Sequence, residues 1–214
     1  MIRKTGILGG TFDPVHNGHI ALADAAGKLC DLDEILLLPA ALPPHKQTKK
    51  IASFADRAAM LEIAIEDNPK LSVSTIEKLL PVPSFTLDTL QYLKLHSAPG
   101  VQFYFISGAD TFLDILSWKN YERILQECHF AAFSRVGKST VKLKKFIEKL
   151  GFQQQTEKCW KHPQSKRKIY HTNITLPDIS SSEIRKRLDT EKSVEGLLPQ
   201  GVYQYILENV LYSP

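Results

Sequence analysis

The sequence predicts an α/β fold in which a parallel sheet carries helices on both faces. Short apolar runs typical of buried strands alternate along most of the chain with segments of helical period. Such a strand-then-helix alternation favours parallel strands joined by crossover helices, with both faces of the sheet covered. The first of these apolar runs ends in a turn unusually rich in glycine and histidine. The pattern therefore predicts a doubly wound sheet with a ligand site at its first strand.

The first half of the chain begins with a buried strand at residues 5–8, and from Gly18 the apolar residues follow one helical face. A second strand at 33–39 ends in proline, and Ser53 is a plausible cap for a helix over 54–67. The next predicted elements are a short strand at 71–75, a helix at 85–96 and a strand at 101–107.

The second half contains a polar, lysine-rich segment, 151–168, that lacks a clear period and predicts a surface excursion. Ser180 stands three residues before Glu183, which predicts a capping box at the start of a helix. Pro199 is expected at the first position of the last helix, 199–209. The other predicted elements are helices within 110–127, a strand at 129–133, an amphipathic basic helix at 141–150 and a strand at 168–175.

Length and charge indicate an ordinary globular protein. With 214 residues, 43% of them hydrophobic, the chain suits one domain over 1–214, with the helices from about 178 packed on it. A net charge of +4 suits small anionic ligands and does not demand nucleic acid. The basic residues within 151–168 have few interleaved aromatics, so a solvated hairpin is favoured there over RNA binding.

The cysteines and the hydropathy of the chain indicate in which cellular compartment the protein is expected. Cys30, Cys128 and Cys159 are odd in number and lack the spacing of zinc ligands, so neither a disulfide framework nor a zinc site is indicated. The apolar run near the start is far too short for a signal sequence or a membrane span. We therefore expect a cytoplasmic protein with no membrane partner.

The stretch GGTFDPVHNGHI, residues 9–20, predicts a phosphate site. A strand that runs through glycines into a helix start places free N–H groups at the carboxyl edge of the sheet, where anions bind. Gly9 and Gly10 allow the main chain to approach a ligand closely. His16 and His19 are three residues apart and would project to one side, where imidazoles can donate to phosphate oxygens.

The turn fits a P-loop, a dinucleotide-binding loop or a zinc site less well. It has neither the P-loop pattern nor the dinucleotide fingerprint of glycines, so neither of those mechanisms applies. A zinc site would need a third ligand that the sequence does not place nearby, and either histidine alone would be interpreted as a surface or capping residue. The pair within this turn favours phosphate binding.

The turn resembles the amino-terminal motif of the HxGH nucleotidyltransferase superfamily. Three later segments, PPHK at 43–46, GAD at 108–110 and ISSSEIR at 179–185, stand in the order and spacing of the bacterial nicotinate-nucleotide adenylyltransferase family. The segments at 83–86, 117–119 and 197–199 also resemble that family, so the likeness covers nearly the whole chain. It implies a Rossmann-like domain that transfers AMP from ATP to nicotinate mononucleotide in NAD biosynthesis, with Mg²⁺ bound through the ATP phosphates.

The resemblance also implies roles for particular residues. His16 and His19 would contact the ATP phosphates and stabilise the transition state. Asp110, after Gly108, would bind the adenosine ribose, although it could equally cap a helix. The remaining residues on the ATP side would be Gly9, Gly10, Thr11 and Phe12 in the turn and Ser181, Ser182 and Arg185 at the later helix, where plain capping and a solvated face are the alternatives.

On the mononucleotide side, the resemblance implies that Trp118 stacks on the pyridine ring and that Thr86 helps to orient the pyridine carboxylate. Lys46 would supply a positive charge from the loop after the second strand, unless it is a solvated loop lysine, and Arg135 would line the same side. Without the resemblance, Trp118 would be assigned to the core.

Several functions stay open on these residues. An adenylyltransferase acting on phosphopantetheine or nicotinamide mononucleotide would share the two histidines, and a cytidylyltransferase would share the HxGH motif. A non-catalytic nucleotide sensor would retain the fold without turnover. The resemblance implies a preference for nicotinate over nicotinamide mononucleotide, and the sequence leaves open the strength of that preference and the oligomeric state.

Overall fold

A computed structural model describes residues 2–41, 51–135, 140–175 and 179–212. The strands are β1 (Lys4–Gly10), β2 (Glu34–Pro39), β3 (Leu71–Val73), β4 (Gln102–Gly108), β5 (His129–Arg135), β6 (Gln153–Thr156), β7 (Cys159–Lys161) and β8 (Lys168–Ile174). The helices are α1 (Asn17–Cys30), α2 (Phe54–Ile65), α3 (Thr86–His96), α4 (Ala109–Leu113), α5 (Tyr121–Glu127), α6 (Val141–Lys149), α7 (Ser181–Asp189) and α8 (Val202–Glu208).

The strands form one sheet in the order β3-β2-β1-β4-β5-β8-β7-β6. All pairs from β3 to β8 are parallel, and β7 and β6 are added antiparallel at the edge. From β1 the chain moves outward through β2 and β3 and then returns to β4 on the other side of β1. In a doubly wound sheet this reversal opens a crevice at the carboxyl ends of the strands. The turn after β1 lies at that crevice.

Helices cover both faces of the sheet, as the sequence predicts. Neighbouring residues of one strand enter different core clusters: Leu8 packs with α1, α2, α7 and α8, whereas Ile7 packs with α3, α4, α5 and α6. The two last helices contribute Ile184 and Val202 to the first cluster. Burial on both faces explains why the strands read as continuous apolar runs.

The edge of the sheet differs from the prediction. The segment expected to be a surface excursion forms the hairpin β6–β7, which extends the sheet beside β8. All four residues of β6 are exposed, so no alternation of apolar residues marks this strand. The hairpin is held instead by Trp160, which is fully buried in the second core cluster. The Cys159–Trp160 pair is the apolar signal of this hairpin in the sequence.

The last helix also begins later than predicted. It starts at Val202 after Gly201, whose φ of 81° is left-handed, so Pro199 precedes the helix and is not its first residue. The other boundaries agree closely, and Ser53 and Ser180 cap α2 and α7 as expected.

Two findings concern the whole described chain. None of the helices within the described residues is both long and apolar enough to cross a membrane. Cys30, Cys128 and Cys159 are free and buried.

Candidate functional site

The turn after β1 is held by its own buried side chains. Phe12 has a φ of 52° and a fully buried ring, and a Cβ added to Gly10 would come within 3.1 Å of that ring. Glycine at position 10 thus lets the Phe12 ring pack closely under the main chain, where a larger residue would require that ring to shift. Thr11 directs its carbonyl away from the ligand side, since this oxygen accepts a 2.7 Å hydrogen bond from Arg57 Nη1.

Arg57 fastens this turn to its surroundings. Its buried guanidinium donates to three main-chain carbonyls, those of Thr11, Ala40 and Ala52. It thereby joins the ends of β1 and β2 to the start of α2. Burial lowers the pKa of Arg57, and the carboxylate of Asp13 opposes that shift. No sequence pattern revealed this role, because an arginine on a helix is normally solvated.

Asp13 forms a second anchor beneath the turn. Its carboxylate is fully buried and accepts hydrogen bonds from the Tyr212 hydroxyl at 2.8 Å and the Ala52 N–H at 3.0 Å. Arg185 Nη1 donates to the Asp13 carbonyl at 2.6 Å and lies 3.3 Å from Oδ2 as an ion pair. Burial and the neighbouring carboxylate raise the pKa of Tyr212, so its hydroxyl stays protonated. The chain's last helical region is thus tied to the turn.

The two histidines stand at the amino end of α1 with their rings stacked. His16 is the N-cap residue, and its ring centroid lies 3.7 Å from that of His19 with the planes 24° apart. The His16 N–H donates to His19 Nδ1 at 3.2 Å, and the Phe12 ring packs against His19. Since Nδ1 accepts this bond, the neutral His19 ring carries its proton on Nε2. The i, i+3 spacing brings both imidazoles to one side, as predicted.

His16 is the more buried of the two rings. Burial lowers the pKa of the His16 imidazole from 6.5 to about 4; a hydrogen bond with its own backbone opposes the shift and the charge of Arg135 adds to it. His16 is therefore neutral near pH 7. Its Nδ1 is buried.

A cavity of about 690 Å³ opens beside these rings, and we call it the histidine cavity. On its α7 side, Ser180 Oγ accepts the Glu183 N–H and caps the helix. Ser181 Oγ donates to the Pro14 carbonyl, and Ser182 Oγ accepts from Arg185. Hydroxyl, imidazole and helix N–H groups thus converge on one space. The predicted site residues that line it are His16, His19, Gly108, Asp110, Arg135, Ser181 and Ser182.

A second cavity of about 790 Å³ adjoins the first at Asp110 and Thr111, which line both. We call it the indole cavity because the half-buried Trp118 lines it, opposite the start of α3 at Thr86. The Trp118 ring stands edge-on to Phe105 at 5.3 Å between ring centroids. Trp118 packs at the border of the core and also presents indole to open space.

Some predicted site residues do not line the same cavity as the other residues predicted to bind the same substrate. Gly9 and Gly10 line the indole cavity, and Arg135 lines the histidine cavity, away from Thr86 and Trp118. Arg185 borders another cavity behind α7 and engages Asp13. Lys46 lies outside the described residues, so its predicted role stays a prediction.

Asn17 adds a further contact that sequence reasoning missed. Its side-chain amide donates to the carbonyls of Gly196 and Leu198, and its backbone N–H donates to the carbonyl of Leu197. The residue between the two histidines therefore holds the segment before α8. These contacts tie the turn to the LLP segment near the end of the chain.

The sheet order and the crevice define a Rossmann-like α/β protein, with paired imidazoles beside a cavity at the amino end of α1. A family model described as cytidylyltransferase-like matches residues 7–187. A protein of Desulfotalea psychrophila named "Probable nicotinate-nucleotide adenylyltransferase" is 38% identical over 99% of this chain and 100% of its own length. A protein of Geotalea daltonii with the same name is 40% identical, with 98% of each chain covered.

Solved structures of similar fold carry the same activity in their names as these relatives. The Plasmodium falciparum nicotinic acid mononucleotide adenylyltransferase complexed with NaAD superposes with a TM-score of 0.75 and 26% identity, covering 98% of this chain and 97% of the other. The same enzyme complexed with APC gives a TM-score of 0.72 and 25% identity at the same coverage. The chain belongs to the cytidylyltransferase-like family and, within it, to the nicotinate-nucleotide adenylyltransferases.

Proposed function

We propose that this protein transfers AMP from ATP to nicotinate mononucleotide, forming nicotinate adenine dinucleotide and pyrophosphate in NAD biosynthesis. One observation carries the proposal: a cavity with stacked histidines at a helix start adjoins a cavity with a partly open indole, and Asp110 lines both. A polyphosphate can lie in the first while a flat ring lies in the second. Relatives over the full chain length carry the same activity in their names.

The reaction needs positioning and charge stabilisation and no protein nucleophile. A phosphate oxygen of the mononucleotide attacks the α-phosphorus of ATP, a new P–O bond forms, and the bond to the bridging oxygen breaks as pyrophosphate leaves. Holding both reactants in line lowers the entropy cost of the step. Fixed donors then stabilise the charge that builds on the transferring phosphoryl group.

In this proposal, His19 is the principal donor to the transferring phosphate, because the bond from His16 N–H to its Nδ1 fixes the proton on Nε2. His16 supports it from the stacked position. Ser181 and Ser182, at the start of α7, receive the outer phosphates. Arg185 joins them on the condition that it leaves its partner Asp13 or binds both.

Mg²⁺ enters this proposal with ATP. The ion keeps several of its waters and is commonly held through substrate phosphates. Asp110 is the one carboxylate in the described lining of the histidine cavity, whose other polar side chains are imidazole, hydroxyl and cationic groups. Among the described residues, no group of three or more His, Cys, Asp or Glu side chains is placed to hold a metal ion. When bound, the ion would offset phosphate charge.

On the acceptor side, we propose that Trp118 stacks on the pyridine ring and that the start of α3 at Thr86 faces the ring substituent. We also propose that the protein acts in the cytoplasm, where a reducing environment preserves its three free cysteines.

The test is pyrophosphate release with ATP and Mg²⁺, measured in parallel with nicotinate mononucleotide, nicotinamide mononucleotide and phosphopantetheine. We expect nicotinate mononucleotide to give the largest kcat/KM. Preference for another acceptor would overturn the substrate assignment and leave the phosphate site in place. Release with none of the three, despite ATP binding, would favour a nucleotide sensor.

A further inference from the structure

The charged groups of the indole cavity are mostly acidic. Glu77, Asp110 and Asp114 line it, and Lys119 is the one basic side chain within the described part of its lining. A ligand that brings a carboxylate into this cavity meets three like charges. A ligand with a neutral carboxamide meets no such repulsion.

Lys119 is placed to counter that repulsion. It follows Trp118 directly, and its Nζ lies 4.2 Å from the centroid of the Phe85 ring, which also lines the cavity. Phe85 is the N-cap residue of α3, so the ammonium group lies over the helix start next to Thr86. A cation over an aromatic face is held loosely and partly dehydrated, which leaves it able to accept a stronger anionic partner.

The acid nearest α3 has other partners. Glu77 Oε1 accepts a 2.5 Å hydrogen bond from Thr89 Oγ1, and its other carboxylate oxygen accepts from Ser84 Oγ. These two bonds hold the carboxylate against the segment that leads into α3. Glu77 is thereby held by hydroxyl groups, while Lys119 contacts the Phe85 ring.

We propose that Lys119 is a specificity-determining residue whose ammonium group pairs with the pyridine carboxylate of nicotinate mononucleotide and so disfavours the nicotinamide form. The inference rests on the proposed function, since it takes the indole cavity as the site of the pyridine ring. Main-chain N–H groups can bind either ring substituent, because a carboxamide also offers a carbonyl oxygen. A lysine charge distinguishes the two, because only the carboxylate is an anion.

The experiment compares Lys119→Gln and Lys119→Arg with wild-type protein, using nicotinate and nicotinamide mononucleotides at saturating ATP and Mg²⁺. We expect Lys119→Gln to lower kcat/KM for the nicotinate form about 10-fold and to change that for the nicotinamide form less than about 2-fold. Lys119→Arg should retain most of the preference. Lys70→Gln, which removes the same charge from an exposed turn, is the matched control.

A binding measurement separates affinity from turnover. Trp118 lines the cavity and Trp160 is fully buried, so fluorescence quenching on adding nicotinate mononucleotide without ATP reports the indole cavity. We expect a weaker Kd in Lys119→Gln by the same factor as the loss in kcat/KM. Raising the salt concentration should reduce the acceptor preference of wild type more than that of Lys119→Gln.

Two results would overturn the inference. Equal losses with both acceptors would mean that Lys119 contacts the phosphate they share, and an unchanged ratio of kcat/KM would mean that it has no part in selection. Failure of the proposed function is a separate result, because wild-type protein would then prefer a different acceptor or release no pyrophosphate with either mononucleotide.

Discussion

The two adjoining cavities are built in opposite ways. Around the histidine cavity, Phe12, Asp13 and His16 are buried, and hydrogen bonds from Arg57 and Tyr212 hold the turn in place. Around the indole cavity, Trp118 is half-buried and Lys119 is exposed, and both side chains contact aromatic rings.

This difference separates two tasks. Donors that stabilise a transition state lose efficiency if they must reorganise, so the turn is fixed before substrate arrives. Acceptor choice needs a ring platform and a correctly placed charge, and both can stand on exposed side chains. We therefore expect substitution of His19 to affect chemistry, substitution of the buried Asp13 to affect stability, and substitutions in the indole cavity to affect acceptor binding.

His19→Ala should cause the greatest change. Removing a preorganised donor to the transferring phosphate should lower kcat by about 100-fold to 1,000-fold. Because the ring is only partly buried, the far-UV circular dichroism spectrum and the thermal midpoint should stay close to those of wild type. His96→Ala on the exposed face of α3 is the control. A folded variant with wild-type turnover would contradict the role given to His19.

The buried anchor beneath the turn comes next. Asp13→Asn should lower the free energy of unfolding by about 2 kcal/mol, because the charge that faces Arg185 is lost. Tyr212→Phe should cost about 1 kcal/mol by removing one hydrogen bond. Urea unfolding measures both. Because the two groups share one carboxylate, the double variant should lose less than the sum, and additive losses would argue against a single network.

Trp118→Ala should act on the acceptor alone. We expect about a 10-fold rise in KM for nicotinate mononucleotide, since a stacked cationic ring contributes roughly 1–2 kcal/mol, with KM for ATP almost unchanged. Trp118→Phe should recover part of the loss. Steady-state kinetics with each substrate varied in turn checks this. A similar rise in both KM values would mean that the two cavities are not separate in function.

The last expected effect is a pH dependence of stability. Burial lowers the pKa values of His16 and His129 to about 4, below the unfolded value of 6.5, so the unfolded chain binds protons first on acidification. Stability should be fully present above pH 6.5 and fall towards pH 4, with each histidine contributing up to about 1.4 kcal/mol per pH unit.

The measurement is urea unfolding at several pH values between 4 and 7.5. His16→Gln should flatten the fall in unfolding free energy within that window. His96→Gln, at an exposed position, should leave its slope as in wild type. An identical slope in all three proteins would contradict the neutral, buried state of His16.

Much of the fold could be predicted from local sequence signals. Apolar runs marked the strands from β1 to β5, and serines marked the starts of α2 and α7, because burial on two faces and helix capping act on neighbouring residues. A solvated hairpin was expected within 151–168, but its place in the sheet could not be predicted, since β6 is exposed and the hairpin is joined to the fold by the burial of Trp160 and the pairing of β7 with β8.

For the site, the local sequence was enough to predict the paired histidines and the glycines that shape their turn, because the spacing of those residues sets their geometry. The tertiary contacts of the site are visible only in the folded chain. Arg57 and Tyr212 bind the turn through hydrogen bonds, and Arg185 forms an ion pair with Asp13. In the indole cavity, Lys119 lies beside the Phe85 ring. These contacts join residues far apart in the chain. Such contacts cannot be predicted from local sequence patterns, because the partners come close together only when the chain folds and the ends of distant strands and helices meet.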